Sequence, residues 1–121
     1  MTLSILICDD SNIARKQLKR VLPQSWNESA QLVKNGEEAL DVLRSEHVDV
    51  LFLDLTMPIL NGFDVLTTMK SEGLNIKTIV IAADIQAEAR KRVEAAGAID
   101  FIKKPVSAET LNEVLNKHNL L

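Results

Sequence analysis

Short apolar runs rich in β-branched residues alternate with stretches of helical period along the chain, and no other feature restricts the fold as much. Ile5-Leu6-Ile7-Cys8, Val48-Asp49-Val50-Leu51-Phe52-Leu53 and Thr78-Ile79-Val80-Ile81-Ala82 are too short for typical helices and read as strands buried on both faces. Between and after them, apolar residues recur on one helical stripe: Ala14, Leu18, Val21 and Leu22; Ala39, Leu40 and Leu43; Val65, Leu66 and Met69; Ala89, Val93 and Ala96; Leu111, Val114 and Leu115. Ala30-Gln31-Leu32-Val33 and Ala98-Ile99-Asp100-Phe101-Ile102 are weaker strand candidates that complete the alternation. Breakers fall between elements: Pro23, Gly36, Pro58, Gly62, Gly73, Gly97 and Pro105.

Alternating strands and helices imply right-handed crossovers that cover both faces of a parallel sheet. The expected architecture is therefore α/β, a doubly wound five-stranded parallel sheet with five helices, in one domain spanning residues 1–121. At 121 residues, a single core buries about two-thirds of the unfolded surface, so neither metal nor disulfide is needed for folding. There is no linker, low-complexity tract or internal repeat to suggest a second domain.

Composition narrows the function. With 14 basic against 17 acidic side chains and a formal charge of −3, electrostatic binding to nucleic acid or an anionic membrane is disfavoured. Aromatic residues make up 3% of the chain, which leaves no interleaved aromatic and basic surface on which bases would stack. No apolar run approaches the roughly 20 residues that cross a bilayer, and the start lacks a basic signal-peptide region. The single Cys8 excludes an internal disulfide framework and fits a reducing, cytoplasmic setting. Proteins or small ligands are the expected partners.

In open α/β sheets the site lies beyond the carboxyl ends of the strands. The first strand runs into Asp9 and Asp10, the third into Asp54, and the fifth into Lys104 and Pro105. Each alone has a bland reading: Asp10 or Ser11 as a helix N-cap, Asp54 as the start of a loop, Lys104 as a solvated lysine. Together they do not, because clustered carboxylates at buried strand ends cost stability unless a cation compensates. Oxygen ligands without His or Cys point to Mg2+ or a similar hard ion. A carboxylate beside Mg2+ and a lysine can act as nucleophile on a phosphoryl group.

These residues make the chain resemble the receiver domain of bacterial two-component response regulators, with the single-domain chemotaxis type as the expected subclass. The motifs that carry the likeness are Ile7-Cys8-Asp9-Asp10-Ser11, the run Leu53-Asp54-Leu55-Thr56-Met57-Pro58-Ile59-Leu60-Asn61-Gly62, Ala95-Ala96-Gly97-Ala98 and Lys103-Lys104-Pro105. The resemblance covers essentially the whole chain and implies a flavodoxin-like receiver fold. It implies that Asp54 accepts phosphate from a histidine kinase or a phosphotransfer histidine. Mg2+ would be held by Asp10, Asp54 and the Thr56 carbonyl, with Asp9 acting through a water. Lys104 would pair with a phosphoryl oxygen, its bond to Pro105 would be cis, and the backbone amides of Thr56 and Ala83 would complete the cradle. Catalysis would be confined to self-catalysed phosphotransfer and autodephosphorylation. Output would pass to a protein effector through the face of the fourth helix, fifth strand and fifth helix.

One position departs from the family. A Ser or Thr is expected at the end of the fourth strand, and here it reads Ala82; Ala83 has no hydroxyl either, while Thr78 lies at the strand's start. Phe101 does match the switching aromatic residue of the fifth strand. A hydrogen bond to a charged group contributes about 1.5–3 kcal/mol, comparable with the few kcal/mol that separate two conformations of such a domain. Its loss suggests a competent phosphoacceptor with a muted switch.

Other residues read blandly. Cys8, Met57 and Met69 suit the core, His47 and His118 suit helix ends, Thr56 and Asp84 flank the site, and Trp26 in a polar loop has no assigned role. Two competing functions share the acid pair. A phosphorylation-independent receiver-like binding module is motivated by Ala82. An aspartyl-phosphate phosphohydrolase is opposed by the lack of room for a substrate-selecting cap.

Overall fold

The computed structural model describes residues 3–55, 57, 60–83 and 86–121. Its elements in chain order are β1 (Ile5–Cys8), α1 (Asn12–Val21), α2 (Gln24–Ser29), β2 (Ala30–Val33), α3 (Gly36–Ser45), β3 (Val50–Asp54), α4 (Gly62–Ser71), β4 (Lys77–Ala82), α5 (Ala87–Ala95), β5 (Asp100–Lys103) and α6 (Ala108–Lys117). All strand pairs are parallel, in the order β2-β1-β3-β4-β5. The chain reverses its direction of travel across the sheet at β1 and β3, which places a crevice beyond their carboxyl ends.

Side chains alternate between the two sheet faces. Leu6, Leu51, Leu53 and Val80 point into one core layer with Leu40, Val65, Leu66 and Val93 of α3, α4 and α5. Ile5, Ile7, Phe52 and Ile79 point into the other, against Leu18, Leu111 and Leu115 of α1 and α6. Burial on both faces explains why β1 and β3 lack polar alternation. Helix starts are set locally: Ser11, Asn35, Asn61 and Ser107 each accept a backbone N–H from the first turn of α1, α3, α4 and α6. Gly73 and Gly97, at φ of 71° and 111°, carry the chain out of α4 and α5.

Among the described residues six helices stand where five were expected, because Gln24–Ser29 forms α2. Fewer than two turns with one buried apolar residue have no period to read. That residue is Trp26, which is buried with its ring centroid 6.5 Å from that of Phe52. The loop tryptophan thus belongs to the core, held by an indole that only the fold of α1 and β3 brings under cover. Strand ends also shift. β3 starts at Val50, just after Asp49, whose carboxylate accepts the N–H of Ser4 (2.7 Å), and β5 starts at Asp100.

Asp100, at the amino end of β5, ties that strand to the end of α6: His118 Nε2 lies 2.8 Å from Asp100 Oδ2, Lys117 Nζ lies 3.5 Å from it, and the N–H of Phe101 donates to Oδ1. Burial raises the carboxyl pKa, but the His118 contact, the Phe101 N–H and the Lys117 charge outweigh it and leave it below its ordinary value. A depressed carboxyl pKa contributes stability above the unfolded value of about 3.9 and loses it as pH falls through the folded value. Asp100→Asn is therefore expected to flatten the acid side of a thermal-stability profile below about pH 4. An unchanged acid side would show that this carboxylate is not the linked group.

Candidate functional site

Asp9 and Asp54, two buried acids, sit where strands end at their carboxyl side. Asp9 follows β1: its N–H donates to Val33 of β2 (3.2 Å), and its Oδ1 accepts the N–H of Ser11 (2.9 Å). Asp54 closes β3, and the next residue, Leu55, donates its N–H to Ile81 of β4 (3.0 Å). Asp9 and Asp54 are only 5% and 4% exposed, while Asp10 is exposed. The three carboxylates each offer an oxygen within 4.8 Å of the others.

Lys104 reaches this edge from the loop after β5, with Nζ 2.9 Å from Asp9 Oδ2 and 3.5 Å from Asp54 Oδ1. Its own N–H donates to the carbonyl of Ala82, extending the β4–β5 pairing, and its bond to Pro105 is cis as expected. Burial lowers the ammonium pKa, but the hydrogen bond to Asp9 and the charges of Asp54 and Asp9 outweigh that and raise it. Lys104 therefore stays charged well above neutral pH. The Lys104 ammonium and the Arg15 guanidinium, which bonds the main-chain carbonyl of Asp9, still leave an excess of negative charge against three carboxylates at a largely buried edge. Hard oxygen donors with an exposed member, Asp10, fit a hydrated divalent ion such as Mg2+.

Thr56 and Asp84, expected beside the site, lie outside the described residues, and with them the Thr56 carbonyl and amide assigned to metal and phosphate. Ala83 follows β4 at an exposed bend near Lys104's anchor on Ala82. Ala82 is buried at the end of β4, pairs with Lys103 and belongs to the core layer of Leu53 and Val80, so the position expected to carry a hydroxyl carries a methyl group. Phe101 is half-buried on β5, and the guanidinium of Arg90 from α5 stacks over its ring, 4.0 Å from the centroid. Between α1 and the loop after β5 lies a cleft of about 290 Å³ lined by Asp9, Ala14, Gln17, Ile81, Lys104 and Pro105.

The bland readings hold for several residues. Burial first, then the charges of Asp54 and Asp9, push the Cys8 thiol up to about 12, so it stays protonated at neutral pH, with Sγ 3.5 Å from Met57 Sδ. His118 caps the end of α6 and His47 lies 2.8 Å from Asp49 Oδ1. Arg15, which belongs to none of the sequence motifs, bonds the main-chain carbonyl of Asp9 through its guanidinium. Its position one helical turn after the cap Ser11 was the available signal.

The family model for the response regulator receiver domain matches residues 5–116. Response regulator MprA of Mycobacterium bovis (strain BCG / Pasteur 1173P2) is 37% identical over 112 residues, which is 92% of this chain and 48% of that protein. MprA of Mycolicibacterium vanbaalenii is 36% identical over the same shares. The chain thus spans about half the length of the curated relatives it matches, and the chemotaxis type expected from the motifs has no counterpart in their names.

Among solved structures, the Francisella response regulator 1452 receiver domain superposes with a TM-score of 0.83 at 24% identity, covering 96% of this chain and 95% of that one. The chemotaxis protein CheY4 of Vibrio cholerae gives 0.86 at 22%, covering 97% and 98%. These likenesses carry the fold alone. Among the described residues no helix is long and apolar enough to cross a membrane. Since the matched span runs from the first residue of β1 into α6 with the acidic edge inside it, the chain belongs to the response regulator receiver domain family.

Proposed function

We propose that this domain accepts a phosphoryl group on Asp54 from a phosphohistidine of a kinase or phosphotransfer protein and signals through protein binding. The observation that carries the reading is the convergence of three carboxylates within 4.8 Å, with Lys104 in contact with the two buried ones. A carboxylate oxygen of Asp54 attacks phosphorus as the bond to the histidine nitrogen breaks, and the imidazole leaves with the electron pair. Lys104 balances charge on a phosphoryl oxygen, and its contacts with Asp9 and Asp54 already aim it there. Asp10, Asp54 and the Thr56 carbonyl are the groups that would hold Mg2+, with Asp9 contributing through water. Bound Mg2+ would supply positive charge that screens the transferring group. The backbone amides of Thr56 and Ala83 would cradle its oxygens. The setting proposed is cytoplasmic, where Cys8 stays a thiol.

The test is intact-protein mass after incubation with acetyl phosphate, with and without Mg2+. The wild-type chain is expected to gain one Mg2+-dependent phosphoryl adduct and Asp54→Asn none. No adduct under conditions that label another receiver domain would favour the constitutive binding module, which Ala82 supports.

The output face proposed is α5, β5 and α6, the fourth helix, fifth strand and fifth helix of the sequence reading. With a methyl group at Ala82 and Arg90 stacked on Phe101, little links the phosphoryl group to that face. Ala82→Thr is expected to enlarge the phosphorylation-dependent amide chemical-shift changes across Ala87–Ala95 and Asp100–Lys103. Equal changes in both chains would count against a muted switch. A chemotaxis role rests only on the shared fold, and the curated relatives favour a regulator of the MprA kind.

A further inference from the structure

Neither the expected ligand set nor the phosphate cradle uses Arg15. Its N–H donates to the carbonyl of Ser11 as the first turn of α1 closes, and its side chain turns back toward the sheet. Nη1 donates to the main-chain carbonyl of Asp9 at 2.6 Å, and Nη2 to Asn12 Oδ1 at 3.3 Å. Bonds from a charged, planar fork are short and directional. The Asp9 carbonyl belongs to the peptide that joins Asp9 to Asp10. Because that peptide is planar, holding its oxygen sets the direction in which the Asp10 backbone leaves.

The remaining groups of Asp9 are tied elsewhere: N–H to Val33, Oδ1 to Ser11 and Oδ2 to Lys104. These bonds anchor Asp9 to the sheet and the site. Asp10 is exposed, so the aim of its carboxylate depends on the backbone that carries it. Among the described residues, Arg15 is the side chain that grips this backbone.

We infer that Arg15 is a positioning residue for the cation site, orienting the Asp9–Asp10 peptide so that Asp10 converges with Asp54. The inference rests on the reading of the acidic edge as a Mg2+ site. It has a sign that separates it from simple electrostatics. A guanidinium beside the carboxylates repels a cation, so if charge were its whole effect, neutralising Arg15 would tighten Mg2+ binding. If it positions the acids, neutralising it weakens binding.

The experiment is calorimetric titration of Mg2+ into the full chain as wild type, Arg15→Gln, Arg15→Lys and Asn12→Ala, with metal-free thermal unfolding of each. Arg15→Gln is expected to bind Mg2+ about tenfold more weakly, as when a partner that orients a metal ligand is lost. Its metal-free unfolding should stay near wild type. Arg15→Lys, which keeps the charge and one donor, should recover part of the affinity, and Asn12→Ala should show a smaller loss. Wild-type or tighter affinity in Arg15→Gln overturns the inference. Should that variant not fold, wild-type affinity in both Arg15→Lys and Asn12→Ala overturns it. A wild-type chain that takes up no Mg2+ removes the metal reading and this inference together, whereas loss confined to the variants supports both.

Discussion

Lys104→Met is expected to slow formation of the Asp54 phosphoryl adduct by about 100-fold at saturating Mg2+ and acetyl phosphate, because one positioned charge aimed at developing negative charge is worth about that much. Methionine retains most of the aliphatic stem, so packing against the cleft beside α1 is largely preserved and the charge is what disappears. The same substitution leaves Asp9 and Asp54, 5% and 4% exposed, without the ammonium that lies 2.9 Å and 3.5 Å from them. Breaking a buried pair typically costs about 3–5 kcal/mol. Since Lys104 is itself about a quarter exposed, a loss of about 2 kcal/mol in metal-free stability is expected after screening. Added Mg2+ should recover more unfolding temperature in Lys104→Met than in wild type, because it restores positive charge at the same edge. A time course by intact mass and paired melting curves check the two effects. An adduct rate within threefold of wild type, on the order of 0.6 kcal/mol in the barrier, would remove Lys104 from the chemistry.

The second large effect is expected from Gly62→Ala. Gly62 opens α4 after the cap Asn61, and its N–H donates to the carbonyl of Leu55 at 3.0 Å. A Cβ there would lie 2.8 Å from the Asp54 carbonyl oxygen and 2.8 Å from Leu55 Cα. Both are backbone atoms at the end of β3 and cannot rotate away. Helix propensity alone would favour alanine by about 1 kcal/mol. The clash outweighs it, and a net loss of about 3 kcal/mol is expected, or about 10 °C in unfolding temperature. Because the displaced backbone carries Asp54, adduct formation should slow as well. A melting temperature at or above wild type would show that β3 and α4 separate at little cost.

Much of the site was legible in the order of residue types. Asp9 with Asp10, Asp54 and Lys104 each follow an apolar run, and in a parallel sheet every run ends at the same edge, so residues from three distant stretches of the chain meet without further information. The motif from Asp54 to Gly62 marked a breaker at Gly62, but that its α-carbon faces the carbonyl of Asp54 itself depends on how α4 returns against β3. The helical reading failed at Gln24–Ser29 for a different reason. Fewer than two turns carry too little of the 3.6-residue period to show a face, and the burial of Trp26 depends on residues such as Phe52 and Leu18 that the fold brings beside it.

What the chain alone determined is whatever follows from local period and from the shared polarity of parallel strands: the α/β class, the doubly wound sheet and the edge at which the carboxylates gather. Tertiary structure decided which side chains turn back onto that edge. Arg15 gripping the Asp9 carbonyl, Arg90 covering Phe101 and Trp26 of α2 against Phe52 are contacts whose formation depends on rotamer and packing, and neither has a period along the sequence.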